Sequence, residues 1–575
     1  MGGTAMSGAT FNLMDRPWIP VTMLSDGTHR ELSLRDTLLQ AHQIRAIDGD
    51  IPLQRFTLSR LLIAVLYGAF ASDVSMSGDL WKEILQAGPE NPDIKKLILE
   101  YCDRYSDHFD LFDVKQPFYQ VADLHTSKGD VSGLERLVLD VPSGEPFFTI
   151  RAGEGLASID AAQAARWLVT LQAFDPSGIK SGAVGDPRVK NGKGYPIGTA
   201  WCGGLGGLMN EGEDLWKTLL LNFVSEEVFE AGESEISWND DKPIWERPQL
   251  TEKPAEGFNQ EQENVGNTGF FHGPATLLTW QSRRIRLFHD GETVTGILVC
   301  NGDRLKPQNA YGYEMMTAWR RSAPQEKALK RQGVYMPRKH VPARALWRGL
   351  PLFTAASESI TGDGLPASRR PYSMNWLTKV RRDDDADGSL ANMPIRLHAF
   401  GVEYGTQDAM VTSAIDDVLD LNLAVITSTD PELHELLEWA VAVTDQGVMA
   451  LRNLASNVAR AAGLPDETPR ERVAETAYSA FDLRFRQWVR TIRSPFNYEQ
   501  LESDWQNIAQ RLLWDIAGQY LSSVPAKAIV GRNIPDETDP NGFKHYDTAL
   551  AQLWFRRALN KIFAIRKTGN QDGTE

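Results

Sequence analysis

The stretch with the greatest capacity for chemistry is Phe174 to Gly194, FDPSGIKSGAVGDPRVKNGKG. It follows a helical pattern and holds Gly178, Gly182, Gly185, Gly192 and Gly194, with Lys180, Arg188, Lys190 and Lys193 against Asp175 and Asp186. Glycines let a backbone approach a ligand where a Cβ would collide, and lysines draw phosphate. No G-x-x-x-x-G-K-[ST] can be fitted, which argues against a nucleotide-binding P-loop. Ser177-Gly178-Ile179-Lys180 does satisfy S-x-x-K, and Lys567-Thr568-Gly569 supplies a K-T-G in the order a serine acyl-transfer enzyme requires. Pro176 and Gly178 make a poor start for a nucleophile's helix and there is no S-D-N, so that enzyme is the weaker alternative.

Two further segments could meet nucleic acid. Pro394 to Val411 reads PIRLHAFGVEYGTQDAMV: Ile395 to Glu403 alternates as a strand, Gly405-Thr406-Gln407-Asp408 supplies turn residues, and helical sequence is expected to follow. A tip bearing Gln407, flanked by Thr406 and Asp408, could be pushed between base pairs; by composition alone it is a turn. From Arg304 to Arg348, eleven basic residues stand against Glu314 and Glu326, a net of +9, interleaved with Tyr311, Tyr313, Trp319, Tyr335 and Trp347. Clustered positive charge with aromatics is the footprint of a phosphate-contacting surface, unless the protein's own acids neutralise it.

These residues must be held by a large scaffold. At 575 residues the chain exceeds one ordinary hydrophobic core, so two or three domains are expected. Up to about residue 410 strand-like pieces (Ile285 to Phe288, Thr293 to Val299) alternate with helical ones (Thr57 to Ala71, Ala161 to Phe174). The acidic, turn-rich run Ser225 to Asn267 and the run Asp383 to Gly388 read as exposed loops. Further on, four amphipathic helices are expected, Pro431 to Gly463, Pro469 to Ile492, Tyr498 to Leu521 and Lys544 to Arg566, with GRNIPDETDPNG breaking the last two apart. The fold class is α+β: a mixed α/β N-terminal domain over 1–410 and a C-terminal four-helix bundle over 411–575.

Cys102, Cys202 and Cys300 form no C-x-x-C pair, and the histidines are scattered, so neither a disulfide framework nor a metal site is expected. His434-Glu435-Leu436-Leu437-Glu438 starts like a zincin helix but has Glu438 where the second histidine is needed. No apolar run approaches a membrane span and the N-terminus lacks a signal layout, which places the chain in the cytoplasm with no membrane partner. A net charge of −16 counts against indiscriminate nucleic-acid binding, although one basic face on an acidic body remains compatible with selective binding.

FNLMDRPWIPV, residues 11–21, places Pro17 and Pro20 around Trp18, which disfavours helix and predicts an edge strand or extended tether with Trp18 buried beneath it. This stretch, LFDVKQPFYQ (Leu111 to Gln120), the GIKSG core followed by LWKTLLLN, the hairpin and the helical C-terminus together resemble the Cse-type large subunit, CasA, of the type I-E CRISPR surveillance complex Cascade. The resemblance covers nearly the whole length. It implies a non-catalytic, cofactor-free subunit that reads a protospacer-adjacent motif in double-stranded target DNA from the minor groove, wedges the duplex open for the guide RNA (crRNA), and recruits the helicase-nuclease effector beside the other Cascade subunits. Base pairing then reads sequence while protein reads only the motif and backbone.

By the same resemblance Ser177, Gly178, Ile179, Lys180, Ser181 and Gly182 would lie against the motif. Lys306, with Arg304 as rival, would enter the groove, and Gln407 with Thr406 and Asp408 would form the wedge. Phe147, Phe148 and Thr149 would dock near the guide's 5′ handle, and the bundle and basic segment would stabilise the displaced strand. Two alternatives remain open: the S-x-x-K acyl-transfer enzyme and a purely structural scaffold.

Overall fold

The computed structural model describes residues 9–71, 76–141, 156–228, 236, 238–255, 273–357, 362–383, 390–535 and 542–564. Trp18 is fully buried, its indole Nε1 donating to the Leu13 carbonyl at 2.9 Å. The strand that follows, β1 (Ile19–Met23), lies between β2 (His29–Leu32) and β3 (Ile44–Ile47), antiparallel to both. It is a central strand, which corrects the expectation of an edge or tether. Pro20 is tolerated there because β3 pairs only from Val21 onward; Pro20 offers its carbonyl to the Asp48 amide at 2.8 Å and has nothing to donate on that side.

The chain folds as two units, one of Met1–Leu346 with Ser357–Leu419, the other of Trp347–Ala356 with Asp420–Glu575. In the first, the helices Pro52–Ala69 and Ala161–Phe174 are apolar nearly all round and buried on almost every face, as helices at the centre of a core must be. The second of these opens on Asp160, whose carboxylate accepts the Gln163 amide.

Around them run β4 (Ile159–Asp160), β5 (Lys180–Ser181), β6 (Lys193–Gly194), β7 (Gly207–Glu211), β8 (Arg283–Asp290) and β9 (Thr293–Asn301). The strand order is β4-β9-β5-β6 with β8 also on β9, so the long β8–β9 hairpin carries the short β5–β6 ladder at its far end. A small sheet of β10 (Trp319–Arg321), β11 (Tyr335–Pro337) and β12 (Ser368–Arg369) has β10 in the middle. Finally β13 (Pro394–Tyr404) and β14 (Val411–Asn422) form a hairpin, with β7 pairing the other side of β13. The sequence predicts helix straight after Met410; instead β14 returns, its burial alternating with period two, exposed at Thr412, Ala414, Asp416 and Val418.

The second unit is built on the helices Pro431–Ala462, Glu467–Val489, Tyr498–Ser522 and Thr548–Ile562, the first packing against the other three. Asp430 caps the first helix by accepting the Glu432 amide, Pro431 opens it, and Gly463 ends it at φ +74°. Phe481, Phe485, Trp488 and Trp505 fill the centre, Trp488 and Trp505 lying 5.2 Å apart between ring centroids. Gly447 lets the first and third helices close up: a Cβ there would stand 2.5 Å from Leu513 Cδ1. Before the last helix, β15 (Arg532–Pro535) and β16 (Phe543–Tyr546) form a two-stranded ribbon where the sequence predicts helix from Lys544. The architecture is α+β with a helical C-terminal part, in agreement with the sequence.

Candidate nucleic-acid interface

The helix Ala161–Phe174 stops at Asp175 because Pro176 disfavours helical geometry for the residue before it. The chain then passes through Ser177, Gly178 and Ile179 into the β5–β6 ladder. Gly178 adopts φ +126° with open space around it, so its backbone conformation, and not crowding, calls for glycine. Ile179 stands 52% exposed, and Ser177, Gly178 and Ser181 are half-buried. Gly182 is buried, with Gly192 and Val189 each 2.6 Å from where a Cβ would be.

Lys180 points the other way. Its ammonium lies 2.6 Å from Asp175 Oδ2 and donates to the Pro176 carbonyl at 3.0 Å, and its side chain is only 7% exposed. Burial pushes its pKa below the ordinary lysine value, with Asp175 opposing. The Lys180 charge is thereby turned into the protein, which leaves the backbone of the loop and not this ammonium at its surface. The same pairing counts against the acyl-transfer alternative, since the S-x-x-K lysine is engaged by a carboxylate. The K-T-G at Lys567–Gly569 lies outside the described residues.

Asp175 holds a second cation, Arg283 Nε, at 2.5 Å. The Arg283 guanidinium also donates to the carbonyls of Gly198 at 2.7 Å and Pro176 at 3.3 Å. One buried carboxylate thus ties the helix end, the start of the loop, its return at Gly198 and strand β8 together. Sequence reasoning marks neither Asp175 nor Arg283 as a site residue. The available signal is Arg283-Arg284 heading a strand whose Ile285, Leu287 and Phe288 mark it as part of the core, since arginine is buried only when paired.

The hairpin tip comes to the same place. Ser177 N–H donates to the Asp408 carbonyl at 2.7 Å, and Tyr404 Oη donates to the Phe174 carbonyl at 2.8 Å. Thr406, Gln407 and Asp408 are exposed, and Ala409 N–H closes the turn on the Thr406 carbonyl at 3.3 Å. Gln407 and Asp408 have φ +60° and +54°, the signature of a type I′ turn, which ordinarily takes Asn-Gly. Holding glutamine in that region costs about 1–3 kcal/mol, supplied by the flanking ladder.

Arg304 and Lys306 leave the end of β9, where Arg188 donates to the carbonyls of Gly302 at 2.8 Å and Asn301 at 3.2 Å and so fastens the glycine loop. Arg304 is exposed and Lys306 half-buried, and Arg304 Nε lies 3.9 Å from the position of a Cβ on Gly198. The basic segment is partly neutralised by the protein's own acids: Arg321 pairs with Glu326 and Asp363, each at 2.6 Å, and Arg348 with Asp445 at 3.0 Å. Phe147, Phe148 and Thr149 lie outside the described residues. Cys102, Cys202 and Cys300 are all buried thiols. Among the described residues no helix is long and apolar enough to cross a membrane.

A mixed α/β unit in which a fastened glycine loop is bonded to a hairpin tip, followed by a helical unit, defines the class of fold. The comparisons agree on the family. The profile of CRISPR-associated protein Cse1 matches residues 12–516, and the chain belongs to that family. It is 28% identical over 455 residues, 78% of each chain, to CRISPR-associated protein CasA/Cse1 of Thermus thermophilus. It superposes on the crystal structure of Thermobifida fusca Cse1 with TM-score 0.84 at 37% identity, covering 97% of this chain and 98% of that one. A chain of a CRISPR RNA-guided surveillance complex shares the fold at TM-score 0.59 and 17% identity, over 96% of this chain and 100% of that one. The resemblance drawn from the sequence is borne out.

Proposed function

We propose that this chain is the target-recognition subunit of a type I-E Cascade, a binding protein and not an enzyme. In this reading the backbone of the loop at Ser177, Gly178 and the exposed Ile179 lies along the minor groove of the flanking motif, where the degenerate base-edge pattern permits several motifs. Gln407 then enters the stack at the first base pair, unstacking it at a cost of a few kcal/mol so that the guide RNA can invade. Arg304 or Lys306 adds groove or phosphate contact, Lys180 braces the loop from beneath, and the assembled subunit recruits the helicase-nuclease.

The observation that carries the reading is the bond from Ser177 N–H to the Asp408 carbonyl at 2.7 Å, which joins the motif-facing loop to the wedge. The test is target binding by the reconstituted complex with and without this chain, at fixed salt, on matched duplexes differing only in the flanking motif. Motif-dependent binding that appears with the chain and weakens in Gln407→Ala supports the reading; binding indifferent to chain and motif sinks it. Arg304→Ala and Lys306→Ala, compared on the same duplexes, decide which cation enters the groove.

A further inference from the structure

We propose that the LFDVKQPFYQ stretch, Leu111 to Gln120, builds a binding site for a free adenine-type base, in a cleft of the first unit whose lining includes no residue of the glycine loop, the wedge or the basic segment. The inference is independent of the recognition reading above.

The stretch is fastened on both sides of a tight turn. Phe118 N–H donates to the Asp110 carbonyl at 2.9 Å, and the Gln120 amide is spent on the scaffold: Nε2 donates to the Leu111 carbonyl and Oε1 accepts the Leu287 amide, each at 2.8 Å. Gln120 N–H closes the turn on the Pro117 carbonyl at 3.1 Å, which leaves Tyr119 at φ +58°. Glycine or asparagine ordinarily takes that conformation, and a bulky residue holds it only where its surroundings impose it. Phe118 stacks on Phe109 with ring centroids 4.9 Å apart, and Trp245 lies at the same distance from Phe109 on another side. Residues 116–120 and Trp245 border a cleft of about 430 Å³, counting its solvent-open mouth, which is within the range of small-molecule sites.

The hydrogen-bonding groups left for a ligand are neutral. Gln281, between the helix Pro274–Leu278 and β8, lines the cleft and is only 7% exposed, yet its side-chain amide has no hydrogen-bond partner among the described residues, where a buried amide is normally satisfied. The Gln116 amide and the His108 ring, both half-buried at the same cleft, likewise have none among the described residues. Arg247 is the one lysine or arginine in the lining, and it is engaged: Nε donates to the Lys242 carbonyl at 3.0 Å, an Nη donates to the Thr276 hydroxyl, and the charges of Asp241 and Glu246 bear on it. A glutamine amide sets a donor beside an acceptor, the complement of an exocyclic amine next to a ring nitrogen, and aromatic walls accept the flat ring. With its cation already held, the cleft suits an uncharged base in preference to a phosphate-bearing nucleotide.

The test is saturation-transfer NMR and calorimetric titration of the full chain with adenine, uracil and AMP. Adenine is expected to bind with a dissociation constant at or below about 1 mM. Gln281→Met, which removes donor and acceptor at similar volume, should weaken it about tenfold or more. Gln116→Leu, at a half-buried position where folding is not at stake, should weaken it in the same direction. Absence of adenine binding to the wild-type chain overturns the proposal, as does undiminished binding in both variants. Uracil bound as tightly as adenine overturns the assignment of the base edge, and AMP bound more tightly than adenine overturns the preference for an uncharged ligand.

Discussion

The Ser177 amide and the Asp408 carbonyl, 2.7 Å apart, make the glycine loop and the hairpin tip one element, and the Tyr404 hydroxyl on the Phe174 carbonyl braces them a few residues back. Tyr404→Phe removes that brace and leaves a carbonyl without its donor. We expect a loss of about 1 kcal/mol in stability. In the complex, discrimination between favoured and disfavoured motifs should fall while the salt dependence of binding stays at the wild-type value.

Gln407 separates backbone from side chain. Gln407→Gly relieves the strain of its φ of +60°, so the chain should melt no lower than wild type. Both Gln407→Gly and Gln407→Ala should lose duplex opening, read by the fluorescence of 2-aminopurine at the first target base pair. Wild-type opening in either variant removes the wedge from its assigned role.

Asp175 neutralises two buried cations, so Asp175→Ala leaves Lys180 and Arg283 unpaired in a low-dielectric site. Losing one partner of a buried pair costs about 3–5 kcal/mol, and denaturant unfolding should show a loss of that order. Lys180→Met should cost less, because Arg283 keeps its carboxylate. If Lys180→Met is the more damaging change, the lysine has a role beyond bracing.

His398 joins three strands: Nδ1 is 2.6 Å from Glu211 Oε1 on β7 and Nε2 is 2.5 Å from Asp416 Oδ1 on β14. Burial works against its charge, but the bonds to Asp416 and Glu211 outweigh it and raise the pKa above 6.5, with Arg55 opposing. Glu211 is lowered against its own burial by His398, Arg55 and Arg396, and the His398 bond lowers Asp416. A raised histidine pKa contributes stability that is complete below about pH 6.5 and lost as pH climbs through the folded value; the carboxylates lose theirs as pH falls through their depressed values. Melting temperature should therefore decline above neutral pH in the wild type, and His398→Gln should flatten that limb.

In the helical unit, Gly447→Ala gains helix propensity of about 1 kcal/mol but drives a methyl into Leu513. The collision should win, with overpacking costing about 1–3 kcal/mol and a lower melting temperature. A higher one would show that Leu513 has room to turn away.

The first helix of the second unit is readable because Asp430-Pro431 and Gly463 mark its ends and because apolar residues recur at helical spacing between them. Ala161–Phe174 is legible for the same reason, and the β8–β9 strands to within two residues at each end. Failures fall where local preference yields to distant partners. Val411 to Asn422 becomes strand because β13 lies beside it, and Pro20 sits in a central strand because its neighbour pairs only from Val21.

For the site, residue types alone mark the glycine loop, the Gln407 turn and the basic segment. Only the tertiary structure decides which way each side chain faces and which of them meet. Lys180 reads in sequence as a phosphate ligand, yet the carboxylate of Asp175 draws it inward. Arg320 and Arg321 are adjacent and chemically identical, yet strand alternation places them on opposite faces, and Glu326 and Asp363 partner the second. Local sequence encodes propensity within a few residues, whereas the pairing of a buried charge depends on groups brought together from far along the chain.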